Sequence, residues 1–176
     1  MERCWILIGM MGAGKSAVGR GLSEASGRPF VDTDILLQNR FGRPVSQVFQ
    51  IYGEDTFRSH ETSVLRGLEP SESVLATGGG IVLRDENWIE LRRLGISIFL
   101  SASPDTLIER LEASKKRRPL LETEDWQDRA KDILEMRMPI YRKADIIVEV
   151  DNLPIESAVG RVLEAIRTFE SNRDQA

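Results

Sequence analysis

The sequence predicts an α/β protein built on one parallel β-sheet. Short apolar runs alternate with stretches of helical periodicity along the whole chain, which is the pattern of strands joined by crossover helices. The first apolar run, residues 4–8, leads into a glycine-rich turn and then into a helical stretch. Of the 176 residues, 41% are hydrophobic and 30% are charged, so we expect one folded domain over 1–176.

Five apolar runs have the length and composition of buried strands. They cover residues 4–8, 29–31, 74–77, 97–100 and 146–150. Helices are predicted near residues 15–26, 34–41, 53–67, 85–94, 104–113, 125–142 and 154–169. The start at 104 is the best defined, because Ser103 suits an N-cap, Pro104 the first helical position and Asp105 the first turn.

The interval between the second and third strands is the longest connection in this scheme. It spans about forty residues, which is long for a plain crossover. Gly42, Pro44 and Gly53 interrupt it with residues that favour turns. The interval therefore predicts an inserted subdomain that binds a substrate.

Charge and cysteine content narrow the class of protein. The net charge of −4 argues against non-specific binding to nucleic acid, and the basic run at residues 115–118 is interpreted as a site for a small anion. Cys4 is the only cysteine, so no intramolecular disulfide is expected. Because the sequence has no signal peptide and no long apolar span, we expect a cytoplasmic protein that binds neither membrane nor nucleic acid.

The turn after the first strand carries the most specific motif. Residues 9–16 read Gly-Met-Met-Gly-Ala-Gly-Lys-Ser and match the phosphate-loop pattern G-x-x-x-x-G-K-[ST]. In such a loop, backbone N–H groups surround phosphate oxygens, a lysine reaches the β- and γ-phosphates, and a serine hydroxyl binds Mg²⁺. The predicted nucleotide site includes Gly12, Ala13, Gly14, Lys15, Ser16 and Ala17. The alternative is that residues 9–14 form only a tight turn between strand and helix.

The second predicted strand ends at two carboxylates, Asp32 and Asp34. Ligands of open parallel sheets gather at the carboxyl ends of the strands, so both residues should lie beside the phosphate loop. We assign Asp32 to the Mg²⁺ shell through water, and Asp34 to an acceptor hydroxyl as a general base or an orienting group. The alternative is that Thr33 or Asp34 is only the N-cap of the following helix.

Six segments resemble the shikimate kinases, small relatives of the nucleoside monophosphate kinases, in both order and spacing. They are the phosphate loop, Asp32-Thr33-Asp34, Gly53-Glu54-x-x-Phe57-Arg58-x-x-Glu61, Gly78-Gly79-Gly80, Arg118-Pro119-Leu120-Leu121 and Arg137-x-x-x-Tyr141. The resemblance covers nearly the whole chain. It implies transfer of the γ-phosphoryl group of ATP to the 3-hydroxyl of shikimate, with Mg²⁺, in aromatic amino acid biosynthesis.

The resemblance also implies an architecture. It is a three-layer P-loop kinase fold whose five parallel strands have the order 2-3-1-4-5 and are flanked by helices. A shikimate-binding subdomain near residues 33–61 and a lid near residues 112–125 are implied as well. The family expectation for the oligomeric state is a monomer.

The acceptor that the resemblance implies is a carboxylate with three hydroxyl groups, and two arginines suit its carboxylate. By the resemblance, Arg58 and Arg137 bind this group, for which the guanidinium fork suits paired charge-assisted hydrogen bonds. We assign Glu61 to orient Arg58. An alternative for Arg58 is an i,i+3 ion pair with Glu61 on a solvated helix face. The glycine run 78–80 would bind the acceptor through bare backbone, or would otherwise be a flexible exit from the strand.

Further site residues follow from the resemblance. Phe49 and Phe57 would wall the acceptor site, although core packing is the commoner explanation for two aromatic residues at helical positions. Arg118 would contact the transferring phosphoryl group from the lid, and Arg110 would stack on adenine. The only histidine, His60, has no metal-ligand spacing around it and is interpreted as packing.

Two other functions stay open at this point. One is a kinase of a different polyol acid, such as gluconate, and the other is a nucleotide-binding regulatory protein without catalysis. The sequence has no arrangement suited to covalent catalysis, because its one histidine and one cysteine have no orienting partners. Direct in-line transfer between two bound substrates is therefore the predicted mechanism.

Overall fold

A five-stranded parallel sheet forms the centre of the computed structural model, which describes residues 3–114 and 119–174. The strands are β1 (Cys4–Ile8), β2 (Phe30–Asp32), β3 (Val74–Ala76), β4 (Gly95–Ser101) and β5 (Ile146–Glu149). They lie in the order β2-β3-β1-β4-β5, and every neighbouring pair is parallel. The predicted α/β class and strand order are confirmed.

Helices connect the strands and flank the sheet. They are α1 (Lys15–Ser26), α2 (Thr33–Phe41), α3 (Val45–Arg66), α4 (Asp85–Leu94), α5 (Pro104–Glu112), α6 (Trp126–Tyr141) and α7 (Ile155–Asp174). Short 3₁₀ turns cover Ile81–Leu83 and Pro119–Leu121. Helix α5 begins as predicted, because the Ser103 hydroxyl accepts a hydrogen bond from the Thr106 N–H at 3.3 Å. Within the described ranges, no helix combines the length and apolarity that a membrane crossing requires.

Strand β1 is the buried centre of the sheet. It pairs with β3 on one side and with β4 on the other, with Trp5 opposite Val74 and Ile8 opposite Phe99. All five residues of β1 are buried. A parallel strand covered on both faces needs apolar side chains at every position, which explains why this run shows no alternation of polar and apolar residues.

A second, smaller hydrophobic cluster lies between α2 and α3. Its members are Leu37, Val48 and Phe57, with Phe41, Val45, Phe49 and Val64 packed against them. The ring of His60 meets that of Phe41 edge-on at 4.6 Å, so the interpretation of His60 as a packing residue is confirmed. The long interval between β2 and β3 therefore contains apolar packing of its own.

Helix α3 differs from its prediction. It begins at Val45 and not near residue 53, and Gly53 (φ 78°, ψ 170°) breaks it in the middle. Only glycine adopts this backbone conformation without strain, so the residue that predicted a helix start is instead a kink between two helical halves. Strand β4 also begins earlier than predicted, at Gly95, where a Cβ atom would overlap the backbone of Cys4 in β1.

Candidate active site

A cleft of about 630 Å³ brings together the predicted site residues at the carboxyl ends of β1, β2 and β3. Its size suits a small-molecule site, for which about 300–1,000 Å³ is usual. The predicted residues that line it are Gly12, Gly14, Lys15, Ser16, Ala17, Asp32, Asp34, Phe49, Phe57, Arg58, Glu61, Gly78, Gly79, Gly80, Arg110 and Arg137. Ala13 is buried and does not line the cleft. The prediction for Arg118 lies outside the described residues.

The phosphate loop places Lys15 at the start of α1. Gly12 and Gly14 have φ angles of 84° and 92°, and Gly14 is the N-cap of the helix. The Lys15 Nζ atom donates hydrogen bonds to the carbonyl oxygens of Gly9 at 2.8 Å and Met10 at 2.9 Å. The loop thus holds its ammonium group close to its own backbone at the wall of the cleft. This conformation and charge suit a phosphate group better than they suit a plain turn.

Asp32 joins the phosphate loop to the start of α2. The Ser16 hydroxyl donates to Asp32 Oδ2 at 2.8 Å, and the backbone N–H of Asp34 donates to Asp32 Oδ1 at 3.0 Å. Asp32 is therefore the N-cap, and the alternative that placed the cap at Thr33 or Asp34 is wrong. The helix follows β2 without a connecting residue, so the last strand residue serves as the cap. Asp34 consequently lies in the first turn and lines the cleft.

Arg58 and Glu61 form a buried ion pair in the second half of α3. Arg58 Nη1 donates to Glu61 Oε2 at 2.6 Å, and Arg58 Nη2 donates to Glu54 Oε1 at 3.0 Å. Arg58 is 6% exposed and Glu61 is 1% exposed. The i,i+3 pairing is present, but the alternative that placed it on a solvated face is wrong. Two carboxylates on one guanidinium fix the orientation in which Arg58 meets the cleft.

The glycine run after β3 packs closely against these side chains. A Cβ atom at Gly80 would overlap the guanidinium group of Arg58. A Cβ atom at Gly78 would lie 2.6 Å from Glu61 Oε1 and 3.0 Å from Asp34 Oδ1. Such close approaches are possible only where the residue has no side chain. A turn that served only as a flexible exit from the strand would not need glycine at these positions.

Arg137 and Tyr141 lie one turn apart on α6 and meet the same backbone atom. The Tyr141 hydroxyl donates to the carbonyl oxygen of Gly79 at 2.6 Å, and Arg137 Nη1 donates to it at 3.4 Å. Arg137 is 7% exposed and lines the cleft beside Arg58. The sequence analysis assigned no role to Tyr141, although Tyr141 is part of the motif Arg137-x-x-x-Tyr141 that identified Arg137.

The remaining predicted residues lie at the two sides of the cleft. The rings of Phe49 and Phe57 are 5.5 Å apart and belong to the small cluster between α2 and α3, so they both pack and line the cleft. Arg110 Nη2 donates to the carbonyl oxygen of Val150 at 2.9 Å, and Nη1 donates to that of Ala13 at 3.4 Å. Arg110 therefore lies beside the phosphate loop.

Glu61 is electrostatically unusual. Its Oε1 atom is buried without a hydrogen-bond partner among the described residues, while Oε2 binds Arg58. Burial raises the pKa of the Glu61 carboxyl from 4.5 to about 7, against the lowering effect of Arg58, and the nearby Asp34 adds to the rise. Near neutral pH the protonated and ionised forms of this carboxyl are therefore both populated.

We expect stability to fall with rising pH because of Glu61. In the folded protein its pKa lies above the value in the unfolded chain, so the native state holds more protons between pH 4.5 and about 7. Relative to Glu61→Gln, the wild type should lose about 3 kcal/mol of unfolding free energy across this window. Urea unfolding of both proteins from pH 5 to pH 8 measures the difference.

Glu135→Gln is the control for this experiment, because Glu135 is an exposed glutamate on α6. Its unfolding free energy should follow that of the wild type at every pH. A difference between wild type and Glu61→Gln that stays constant from pH 5 to pH 8 would contradict the raised pKa.

The fold and the cleft define a P-loop kinase of a small molecule. One cleft combines a phosphate loop with a buried lysine, the contact of Ser16 with Asp32, and a pocket lined by Arg58 and Arg137. The family model of shikimate kinase matches residues 11–167. The chain belongs to the shikimate kinase family.

Individual relatives agree with this membership. The shikimate kinase of Thermodesulfovibrio yellowstonii is 38% identical over 169 residues, which cover 96% of this chain and 97% of that protein. The structure of Acinetobacter baumannii shikimate kinase in complex with shikimate has a TM-score of 0.90 at 34% identity, over 96% of this chain and 94% of that one. A gluconokinase from Sinorhizobium meliloti has a TM-score of 0.63 at 21% identity, over 99% and 98% of the two chains, which shows a shared fold alone.

Proposed function

We propose that the protein transfers the γ-phosphoryl group of ATP to the 3-hydroxyl group of shikimate, giving shikimate 3-phosphate and ADP. The observation that carries the proposal is a continuous series of contacts along one cleft. It runs from Ser16 through Asp32 to the backbone N–H of Asp34, and from Thr33, whose hydroxyl accepts a hydrogen bond from the Gly78 N–H at 3.1 Å, to the glycine run. The buried pair of Glu61 and Arg58 packs against that run. The complex of the Acinetobacter baumannii relative with shikimate supports the choice of acceptor.

The nucleotide would bind at the phosphate loop. The N–H groups of the loop and the start of α1 would bind the phosphates, Lys15 would offset the charge of the β- and γ-phosphates, and Arg110 would stack on adenine. Ser16 and Asp32 offer the oxygen donors that Mg²⁺ prefers, and they are already in contact at 2.8 Å. Ser16 would hold the metal directly and Asp32 through water. When bound, the metal supplies charge that stabilises the phosphates during transfer.

The acceptor would bind between α3, α6 and the glycine run. Arg58 and Arg137 would bind its carboxylate, since both are buried and line the same cleft. Backbone N–H groups of the glycine run would bind its ring substituents, and Phe49 and Phe57 would cover the apolar side of the ring. Phe49, Phe57 and Arg58 would belong to a shikimate-binding subdomain over about residues 33–61.

The transfer itself would need little covalent chemistry from the protein. The 3-hydroxyl oxygen forms a bond to the γ-phosphorus as the bond to the β-phosphate oxygen breaks, and Asp34 takes or orients the hydroxyl proton. Lys15, and Arg118 from a lid near residues 112–125, would offset the charge on the transferring group. Lid closure would exclude water, which would otherwise compete as an acceptor. We propose that the enzyme works as a monomer in the cytoplasm.

Asp34→Asn should lower kcat by about 100-fold or more, because amide nitrogen cannot accept a proton while the shape of the side chain is kept. The measurement is a coupled ADP-release assay with ATP and Mg²⁺, run with shikimate, with gluconate and without acceptor. We expect release only with shikimate, and we expect it to collapse in the variant. The KM for ATP should change little, since Asp32 and Ser16 are intact.

Asp132→Asn, at an exposed position on α6, is the matched control and should keep full activity. Turnover with gluconate in place of shikimate would overturn the choice of acceptor. Binding of ATP without acceptor-stimulated release would favour a regulatory nucleotide-binding protein instead. A loss of less than tenfold in Asp34→Asn would remove Asp34 from the proton transfer.

A further inference from the structure

Gly79 is the point at which the acceptor site, the phosphate loop and α6 meet. A Cβ atom at Gly79 would lie 3.2 Å from the Met11 amide nitrogen and 3.5 Å from the Gly9 carbonyl oxygen. Its own carbonyl oxygen accepts hydrogen bonds from Tyr141 and Arg137 on α6. Two side chains of α6 therefore bind the peptide group that lies against the phosphate loop.

The ring of Tyr141 is held in place independently of the cleft. It stacks on Phe99 of β4, with ring centroids 5.0 Å apart and planes inclined by 15°, and the residue is 0% exposed. Burial raises the pKa of the Tyr141 hydroxyl, against the lowering effect of Arg137, whose charge lies near it and whose side chain hydrogen-bonds to it. The ring fills the core, and only the hydroxyl reaches the glycine run.

The two hydrogen bonds to Gly79 differ in length. The Tyr141 hydroxyl donates at 2.6 Å, whereas Arg137 Nη1 donates at 3.4 Å, near the upper limit for a hydrogen bond. Gly79 is half-buried, and its carbonyl oxygen is turned toward α6, where these two side chains are its donors. If the Tyr141 hydroxyl were removed, Arg137 would be the one of these two donors that is left for the Gly79 carbonyl oxygen. Its guanidinium group would then move toward Gly79.

We infer that Tyr141 is a positioning residue of the acceptor site: its hydroxyl satisfies the Gly79 carbonyl and so leaves the Arg137 guanidinium available for the carboxylate of the acceptor. The inference rests on the proposed function, because it takes the acceptor to be a carboxylate that Arg137 binds. Tyr141 itself need not touch either substrate.

The test is Tyr141→Phe, which keeps the ring and its stacking on Phe99 and removes one oxygen atom. We expect the KM for shikimate to rise about tenfold, the effect of one hydrogen bond. The KM for ATP should change less than threefold. The matched control is Thr168→Val on α7, which also removes one hydroxyl that donates to a backbone carbonyl, that of Glu164, at an exposed position outside the cleft. This control should change neither constant more than twofold.

A double-mutant cycle with Arg137→Lys separates positioning from a merely structural role. If Tyr141 acts through Arg137, the effect of Tyr141→Phe on the KM for shikimate should fall below threefold in the Arg137→Lys background. Additive effects would overturn the inference. So would Tyr141→Phe with an unchanged KM for shikimate, or with a loss shared equally between shikimate and ATP.

If Tyr141→Phe does not fold, NMR measurement of hydroxyl proton exchange in the wild-type protein tests the role of Tyr141. In protein with ¹³C-labelled tyrosine, the two tyrosines give two sets of NMR signals, which Tyr52→Phe assigns. We expect the Tyr141 hydroxyl proton to exchange slowly with water, both without and with shikimate. Rapid exchange in either state would overturn the inference.

The failure of the proposed function would look different. A wild-type enzyme that releases no ADP with shikimate would overturn that function and this inference with it. A wild-type enzyme that is active on shikimate, beside a Tyr141→Phe variant with normal kinetics, would overturn this inference alone.

Discussion

Gly80→Ala is expected to weaken shikimate binding by about 100-fold or more, close to 3 kcal/mol. The new Cβ atom would overlap the guanidinium group of Arg58. Arg58 cannot move aside freely, because Glu61 and Glu54 bind it from two directions at 2.6 Å and 3.0 Å. The overlap must therefore shift either the glycine run or the buried ion pair, and both belong to the proposed acceptor site. Calorimetric titration with shikimate, and separately with ATP, measures the effect.

The binding of ATP to Gly80→Ala should stay within threefold of that to the wild type, because the atoms nearest to the new Cβ atom belong to Arg58 and not to the phosphate loop. Gly160→Ala is the matched control. A Cβ atom at Gly160 would meet nothing within 4 Å, and the residue lies inside α7, where alanine is favoured over glycine. That variant should bind both substrates normally. An unchanged affinity of Gly80→Ala for shikimate would mean that the acceptor binds elsewhere.

Lys15→Met is expected to lower kcat by about 10³-fold, which corresponds to about 4 kcal/mol of transition-state stabilisation. Methionine keeps most of the length of the side chain and removes its charge. It also removes the two hydrogen bonds from Nζ to the carbonyl oxygens of Gly9 and Met10. The transferring phosphoryl group would then lack the cation that the loop holds in place. Steady-state assays at saturating ATP and shikimate measure kcat directly.

Lys131→Met serves as the control, because Lys131 is 48% exposed and lies 3.9 Å from Asp128 on the surface of α6. Its removal should change kcat by less than twofold. If Lys15→Met raised only the KM for ATP and kept kcat, Lys15 would bind the ground state and the transition state equally. Its assignment to transition-state stabilisation would then be wrong.

Much of the fold could be predicted because local sequence signals agree with the tertiary structure. The central strand Cys4–Ile8 is an unbroken apolar run, and Ser103 with Pro104 begins α5 by its own capping chemistry. The kink in α3 could not be predicted, since Gly53 gives the same signal at a helix start as inside a broken helix. Val48 before the kink and Phe57 after it both pack against Leu37 of α2, a tertiary contact that the sequence does not display.

In the candidate site, too, some features could be predicted from the sequence and others could not. The phosphate loop could be predicted because its glycine and lysine spacing encodes the backbone conformation. The burial of Arg58 and Glu61 could not, because their i,i+3 spacing is the same on a solvated face as in the interior. The contact of Tyr141 with Gly79 joins residues distant in the chain, and no local pattern reports it.

The packing of Gly79 against the phosphate loop also limits how such an enzyme can change its acceptor. At this point the glycine run and the phosphate loop, the two turns proposed to bind the substrates, lie so close that a Cβ atom on Gly79 would be 3.2 Å from the Met11 nitrogen. No rotatable side chain separates them, so their spacing has little tolerance for adjustment by substitution. A phosphoryl donor and its acceptor must approach within about 3 to 3.5 Å in line. New acceptors would therefore have to be accommodated by residues that do not pack against the glycine run, such as Phe49 and Phe57, while this junction stays fixed.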